Sequence, residues 1–279
     1  MDGSSMGFGA RMAPTAMSDD WLLYVARVIS RSWGRPHWRI LFLHDVPKEA
    51  AGRFADLLDW FSQWFEWVSL ERGVESITSG GPGRPSITLT FDDAHKSLVE
   101  VMPVLSERRI PACVYVVPAY VENGKSFSGK VGQPIMSWQD LREWRQAGHT
   151  IGSHSLSHPA LPKCSDAELH WQFLESRQRL EDALGAPVDH FAYPFGQFDR
   201  RTQAVVRHLG CYRSVATSQR GPMFAQHDPL SLRRDRIDLM ASPAQNELWM
   251  RLADRLYPLR YLKRAIRKAL GYKSRGPCR

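Results

Sequence analysis

The stretch Ser86-Ile-Thr-Leu-Thr-Phe-Asp92-Asp93, SITLTFDD, decides how the chain is organised, because it joins an apolar run to two adjacent carboxylates. Its first six residues form a short run of the kind typical of a buried strand. The two aspartates come where that strand would end. In folds built from parallel strands, functional residues collect in the loops at the carboxyl ends of the strands. The stretch therefore predicts a strand that delivers two acidic groups to one edge of a sheet.

Strand-like runs recur along the chain, and helical patterns separate them. The runs lie at 40–43, 111–118, 149–154, 190–195 and 212–217, and apolar residues recur at helical spacing over 54–68, 99–109 and 202–209. Strands that alternate with helices of about ten to twenty residues indicate parallel βα units. Too few strands are recognisable to count eight. We therefore predict an α/β fold, a distorted or incomplete barrel, with an open doubly wound sheet as the alternative.

Two serines mark helix starts through capping chemistry. Ser137 and Ser165 are each followed, three residues later, by an acidic residue, which is the spacing of a capping box. Gly148 and Gly185 stand where a helix beginning at these serines would end. The sequence predicts one helix between Ser137 and Gly148 and another between Ser165 and Gly185.

The distribution of charge along the chain argues against a nucleic-acid-binding protein. The 279 residues are 43% hydrophobic, enough to bury a core, and the formal net charge is +8. Eight of the 37 basic residues lie in 256–279, which holds no acidic residue, so the preceding chain balances 29 basic against 29 acidic residues. A neutral body argues against a nucleic-acid groove across the domain. We expect no nucleic-acid partner.

The cysteines and the N-terminal stretch favour a cytoplasmic protein. The first twenty residues lack a basic region followed by an apolar one, and no segment approaches 18 apolar residues. The cysteines have no paired spacing that would indicate a disulfide framework or a zinc-thiolate site. They are Cys113, Cys164, Cys211 and Cys278.

Both ends of the chain are predicted to differ from its middle. Residues 1–39 read as a disordered leader followed by an amphipathic helix over Trp21 to Trp33, and residues 241–279 as a basic amphipathic tail. The tail suits docking on an anionic membrane face, or equally a terminal helix that covers the body of the protein. Peripheral contact with the inner membrane face, and a lipid-linked sugar as substrate, remain open.

Four predicted strand ends carry residues that suit a metal site: 42–45 (FLHD), 90–93 (TFDD), 152–158 (GSHSLSH) and 191–196 (FAYPFG). Asp and His are ligands of divalent ions such as zinc, and a site with three protein ligands leaves room for substrate. His154 and His158 are four residues apart, although Pro159 favours a loop over a helix at that point. Such a histidine pair also arises by chance, so the aspartates are what strengthens the metal interpretation.

The adjacent aspartates have two interpretations. Like charges at a strand end raise one pKa, and a metal resolves the conflict by binding one carboxylate while the other accepts a proton from water. Alternatively, the pair forms a turn or caps a helix that starts near Lys96. One aspartate could serve as both cap and ligand.

The motifs TFDD, HSLSH and AYPFG, in that order, resemble the first three motifs of the polysaccharide deacetylases, which are carbohydrate esterase family 4 or NodB-homology proteins. The resemblance covers roughly 40–240, which we take as the deacetylase domain. It implies a distorted, usually seven-stranded (β/α) barrel. The segment ILFLHDV, with a strand-end histidine, is similar to the subgroup that includes poly-N-acetylglucosamine deacetylases.

The resemblance implies roles for individual residues. Asp93, His154 and His158 would bind a divalent metal ion, with Zn²⁺ expected. Asp92 would be the general base and His44 the general acid, while the backbone N–H of Phe195 would stabilise the oxyanion. The candidates for substrate contact are Tyr193, Pro194 and Trp138.

The chain departs from the family pattern near the general base. The family often has an arginine two residues before the proline of its third motif, where this chain has Ala192. Arg236, in the segment RRDRID, is a candidate substitute for tuning Asp92. His95 is a competing acid that we rank behind His44.

We therefore expect a metal-dependent hydrolase that removes N-acetyl groups from an amino sugar in a poly-, oligo- or lipid-linked saccharide, acting in glycan or exopolysaccharide synthesis. One alternative keeps the site and changes the bond, giving an O-deacetylase or a hydrolase of a non-sugar amide. Another is a carbohydrate-binding protein without catalysis, which the absence of arginine at Ala192 favours.

Overall fold

A computed structural model describes residues 35–126 and 132–254, together with Tyr24. The predicted helix over Trp21 to Trp33 and the basic stripe of the tail beyond residue 254 lie outside these ranges. Within them, no helix is both long enough and apolar enough to cross a membrane.

The strands form one sheet in which every pairing is parallel. They are β1 Trp38–Leu43, β2 Glu66–Trp67, β3 Ser86–Asp92, β4 Ala112–Val116, β5 Thr150–Ser153, β6 His190–Ala192, β7 Ser214–Ala216 and β8 Asp235–Arg236. Seven of them follow the order β7-β6-β5-β4-β3-β1-β8, and β2 pairs with β3 outside that path.

The segment that ends in β8 reaches both edges of this sheet. Leu232 forms a parallel bridge with Ala216 of β7, and three residues later Asp235 pairs with Leu41 of β1. The two edges are therefore joined through one short segment, and the sheet curls into a distorted barrel. The predicted α/β barrel fold is confirmed.

The helices connect the strands and cover the outside of the sheet. They are α1 Ala51–Ser62, α2 Leu70–Thr78, α3 Leu98–Glu107, α4 Pro118–Asn123, α5 Trp138–Gln146, α6 Asp166–Leu184, α7 Arg200–Leu209 and α8, residues 243–254. Capping boxes at Ser137 and Ser165 start α5 and α6, as predicted. Gly185 ends α6 in a left-handed conformation, with φ 63°.

The strands are buried on both faces, as expected of a parallel sheet covered by helices. Along β1, Leu41 and Leu43 join a large cluster with α1 and α3, while Trp38 and Ile40 join a second cluster. This alternation follows from the two-residue period of a strand. The barrel therefore has apolar material on each side of its wall.

The predicted helix over 54–68 is wrong in its second half. The helix ends at Ser62, and the chain then forms β2 at Glu66–Trp67. Phe65 and Val68 are buried beside this strand, so the apolar pattern continues although the secondary structure changes. Because apolar residues of both elements are buried, the hydrophobic pattern of the sequence does not indicate where the helix ends and the strand begins.

Candidate active site

The two aspartates lie at the carboxyl end of β3, where the backbone changes conformation between them. Asp92 is the last residue of the strand, and Asp93 is left-handed with φ 69°. In a continuing strand the two side chains would point to opposite faces. The change of conformation brings both carboxylates to one cavity. The N-cap position of helix α3 is Ser97, four residues after Asp93, so neither aspartate caps this helix.

Asp92 is held by a buried arginine that the sequence analysis did not select. Arg234 donates from both terminal nitrogens to the two oxygens of Asp92, at 2.6 and 3.0 Å. Its Nε donates to the carbonyl of Thr217, and its guanidinium lies 4.6 Å from the ring centre of Phe42. Burial alone would raise the pKa of Asp92, but the charge and hydrogen bonds of Arg234 outweigh burial and hold that pKa well below its usual range.

The prediction that Arg236 tunes Asp92 is therefore wrong. Arg236 is exposed at the rim of the cavity, and its backbone pairs with Phe42 in β1. Arg234 is two residues earlier, and its guanidinium is the one that contacts Asp92. The guanidinium that is absent at Ala192 is thus supplied from the segment that closes the barrel.

Asp93, His154 and His158 form a compact cluster in which one ligand atom from each lies within 4.8 Å of the others. The Oδ1 atom of Asp93 is 3.4 Å from Nε2 of His158 and 3.9 Å from Nε2 of His154. Ligands about 2 Å from a tetrahedral ion are roughly 3.3 Å apart. His158 stands in a loop with φ 60°, which agrees with the loop that Pro159 predicted.

The donor atoms of this cluster suit a metal ion. His154 Nδ1 lies 2.7 Å from the carbonyl of Ala192, and a proton on Nδ1 leaves the Nε2 lone pair for a ligand. Burial lowers the pKa of His154 to about 4 and that of His158 to about 3, so both rings are neutral at pH 7. Asp93 Oδ1 is buried without a hydrogen-bond partner. A cation would satisfy this oxygen.

The loop after β6 places Phe195 against the cluster. Phe195 has φ 58°, and its ring meets that of His158 edge to face at 4.5 Å. Its backbone N–H makes no hydrogen bond that we find within residues 35–126 and 132–254. Gly196 follows with φ 61°, and a Cβ there would lie 2.2 Å from Ser218 Oγ. This close approach fixes the loop that carries the free N–H.

These groups line a cavity of about 520 Å³ at the carboxyl ends of the strands. His44, exposed, and His95, buried, stand on its wall with both aspartates and both cluster histidines. Two of the predicted substrate contacts, Tyr193 and Pro194, are buried and do not line the cavity, so the structure does not support that role for them.

Trp138 is also not part of this wall. It begins helix α5 and packs partly buried against the main core cluster. Arg234 is the site residue that the sequence analysis missed. The run of arginines at 233, 234 and 236 pointed to this segment, but only the register of β8 against β1 decides which of them faces Asp92.

The protein is a curled parallel barrel. At its strand ends, a buried Asp-His-His cluster with a second carboxylate beside it forms a candidate metal centre. Residues 79–214 match the family model described as polysaccharide deacetylase, and this stretch of the chain belongs to that family. The narrower subgroup with an N-terminal strand-end histidine stays a prediction.

Curated relatives and solved structures agree with this assignment. The chain is 31% identical over 126 residues to a chitooligosaccharide deacetylase of Sinorhizobium fredii, which is 44% of this chain and 53% of that protein. It is 29% identical over 166 residues to that of a Bradyrhizobium species, 57% of this chain and 64% of that protein. The chain thus spans less than two thirds of either relative. The structure of the Streptococcus pyogenes deacetylase PplD in complex with acetate has a TM-score of 0.67 at 23% identity, covering 77% of this chain and 99% of that one, and shows the shared fold.

Proposed function

We propose that the protein is a zinc-dependent de-N-acetylase that acts on an N-acetylated amino sugar within a saccharide. The observation that carries the proposal is the pair of adjacent carboxylates with different surroundings. Asp92 is kept ionised by Arg234, and Asp93 faces two neutral imidazoles. One strand end thus supplies a base and a ligand to the same cavity.

The residues divide the work of amide hydrolysis among them. A zinc ion on Asp93, His154 and His158 would polarise the acetamide carbonyl and lower the pKa of water. Asp92 accepts the proton that the attacking water loses. The N–H of Phe195 donates to the oxygen on which negative charge develops. His44, exposed on the cavity wall, supplies the proton that turns the amine into a good leaving group.

The substrate class follows from the relatives' printed activity. Two of them are chitooligosaccharide deacetylases, and on that basis we propose oligomers of N-acetylglucosamine as substrates. The alternative without catalysis was motivated by Ala192. Because Arg234 lies beside Asp92, the lack of an arginine at Ala192 no longer favours a protein without catalysis.

Metal content and acetate release test the proposal together. We expect Asp93→Ala to lose zinc and activity, and Asp92→Asn to keep zinc but release acetate about 10²-fold more slowly. Asp166→Ala, at an exposed aspartate of α6, is the matched control and should match wild type in both measurements. Equal zinc in wild type and Asp93→Ala would contradict the site. Faster release from O-acetyl esters than from N-acetylglucosamine oligomers would favour the O-deacetylase.

A further inference from the structure

A second cavity of about 520 Å³ adjoins the one that holds the metal-type cluster. The two cavities share four lining residues, His44, Asp45, Arg220 and Arg236. The volume is within the range of about 300 to 1,000 Å³ that is usual for ligand pockets. A saccharide chain with one residue at the cluster can therefore continue past His44 into the second cavity.

One residue that lines this cavity, Trp249, comes from α8, a helix fixed to the rest of the fold by buried polar contacts. Glu247 accepts a hydrogen bond from Trp60 Nε1 at 2.9 Å, and Asp254 pairs with the fully buried Arg39. Asn246 is also buried and bonds the 238 loop, donating to the carbonyl of Asp238. These contacts fix the position of the helix from which Trp249 projects.

The lining has the chemistry that a sugar ring needs. Trp249, on α8, is 40% exposed. Arg220 and Arg236 make no side-chain hydrogen bond or ion pair that we find within 35–126 and 132–254, while the Asp238 carboxylate accepts from the backbone of Met240. A pyranose has an apolar C–H face that fits a flat aromatic ring, and hydroxyl edges that accept hydrogen bonds from guanidinium groups.

We propose that this second cavity is a subsite for the sugar next to the one that loses its acetyl group, with Trp249 as its stacking platform and Arg220 and Arg236 as hydrogen-bond donors. The inference rests on the proposed function and deepens it. It makes the enzyme selective for oligomers over the monosaccharide, because only an oligomer can fill both cavities.

The test compares kcat/KM for acetate release from N-acetylglucosamine and its di-, tri- and tetramer. We expect Trp249→Ala to lower kcat/KM for the oligomers about three- to tenfold, the scale of one lost stacking contact, and to leave the monosaccharide unchanged. Trp171→Ala removes an exposed tryptophan of α6, 52% exposed and outside both cavities, and should match wild type at every length. Equal effects of Trp249→Ala on all four substrates would overturn the subsite.

A binding measurement separates this inference from the proposed function. Isothermal titration of the tetramer into Asp92→Asn, with and without Trp249→Ala, reports the subsite without turnover. Tighter binding with Trp249 present supports the subsite even if no substrate releases acetate, an outcome that would reject the deacetylase. Acetate release with equal tetramer affinity in both variants would keep the deacetylase and reject the subsite. Matching thermal unfolding midpoints of the variants exclude misfolding as the cause.

Discussion

Asp92 and Asp93 are neighbours in sequence whose pKa values move in opposite directions. Burial, together with the charge of Asp92, raises the pKa of Asp93 to about 7. Asp92 is also buried, but Arg234 overcomes the effect of burial and lowers its pKa. Groups whose surroundings separate their pKa values in this way can take different parts in one reaction. Asp92 stays charged throughout the neutral range, whereas Asp93 exchanges a proton there until a metal takes its place.

We expect Arg234→Ala to raise the pKa of Asp92, because burial would then act without an opposing charge. Asp92, the proposed general base, would then be protonated at higher pH than in wild type. The acidic limb of the pH profile of kcat/KM should therefore move to higher pH, and the rate at pH 7 should fall about 10²-fold. Arg234→Lys keeps a charge without the two-pronged contact and should recover part of the rate. An acidic limb that stays in place in Arg234→Ala would refute the pairing.

Zinc affinity should depend on pH through Asp93. Since its pKa is raised to about 7, a proton competes with the metal below that pH, while the two histidines with pKa values of about 4 and 3 remain neutral. We expect zinc to bind about tenfold more weakly at pH 6 than at pH 8, with release of one proton on binding at pH 6. Calorimetry in buffers of different ionisation enthalpy measures both the zinc affinity and the number of protons released. Equal Kd values at the two pH values would contradict it.

At the scale of single elements, α2 is distinguished by how closely it approaches β1. A Cβ added at Gly73 would lie 2.1 Å from the indole of Trp38, whereas one at Gly52 in α1 would have nothing within 4 Å. Trp38 is fully buried and donates to Thr88 Oγ1, so it cannot move aside freely. The glycine therefore sets the distance between the helix and the barrel.

Alanine at these two glycines should have opposite effects. Alanine favours a helix over glycine by about 1 kcal/mol, so Gly52→Ala should raise the free energy of unfolding by up to that amount. Gly73→Ala gains the same propensity but overpacks the contact with Trp38, and we expect a net loss of about 1 to 3 kcal/mol. Urea denaturation of both variants measures the difference. A stabilised Gly73→Ala protein would show that the helix can shift outward at little cost.

The sequence predicted those elements whose signals are local. The apolar run of β3 and the capping serines before α5 and α6 are such signals. Helix α2 carried a signal that went unused, since Ser69 caps it and Leu70, Val74 and Ile77 recur at helical spacing. The long aromatic run before it obscured this pattern.

The ligand cluster and the base were suggested by motifs, but their electrostatic partner was not. Arg234 is 142 residues from Asp92, and its contact depends on the register of a two-residue strand. An alternating segment restricts the inward residues to every second position. This alternation does not determine which of Arg234 and Arg236 lies level with the Asp92 carboxylate.

At the scale of the whole molecule, a buried ion cluster joins the first strand, the last strand and α8. Arg39 of β1 pairs with Asp235 of β8 at 2.6 Å and with Asp254 of α8. All three side chains are almost fully buried. The cation therefore links the two ends of the described barrel.

Removing Arg39 should unfold the protein at much lower denaturant, because two buried carboxylates would lose their cation. We expect Arg39→Ala to lower the free energy of unfolding by about 3 to 5 kcal/mol. Arg108→Ala breaks a pair with the exposed Asp59 and should change it by less than about 1 kcal/mol. Guanidinium denaturation followed by circular dichroism compares the two. Equal losses of unfolding free energy in both variants would mean that the buried cluster stabilises the protein no more than an exposed ion pair does.

The position of Arg234 on the closing segment also determines at which stage of synthesis the chain can hold Asp92 in its ionised form. Residues 38–216 include β1 to β7, and so contain both aspartates and both cluster histidines, yet a chain that stops there lacks the guanidinium beside Asp92. In such a chain Asp92 would lack the charge and hydrogen bonds that hold its pKa below the usual range. The proposed deacetylase would therefore reach its full rate only after the final segment docks and places Arg234 beside Asp92.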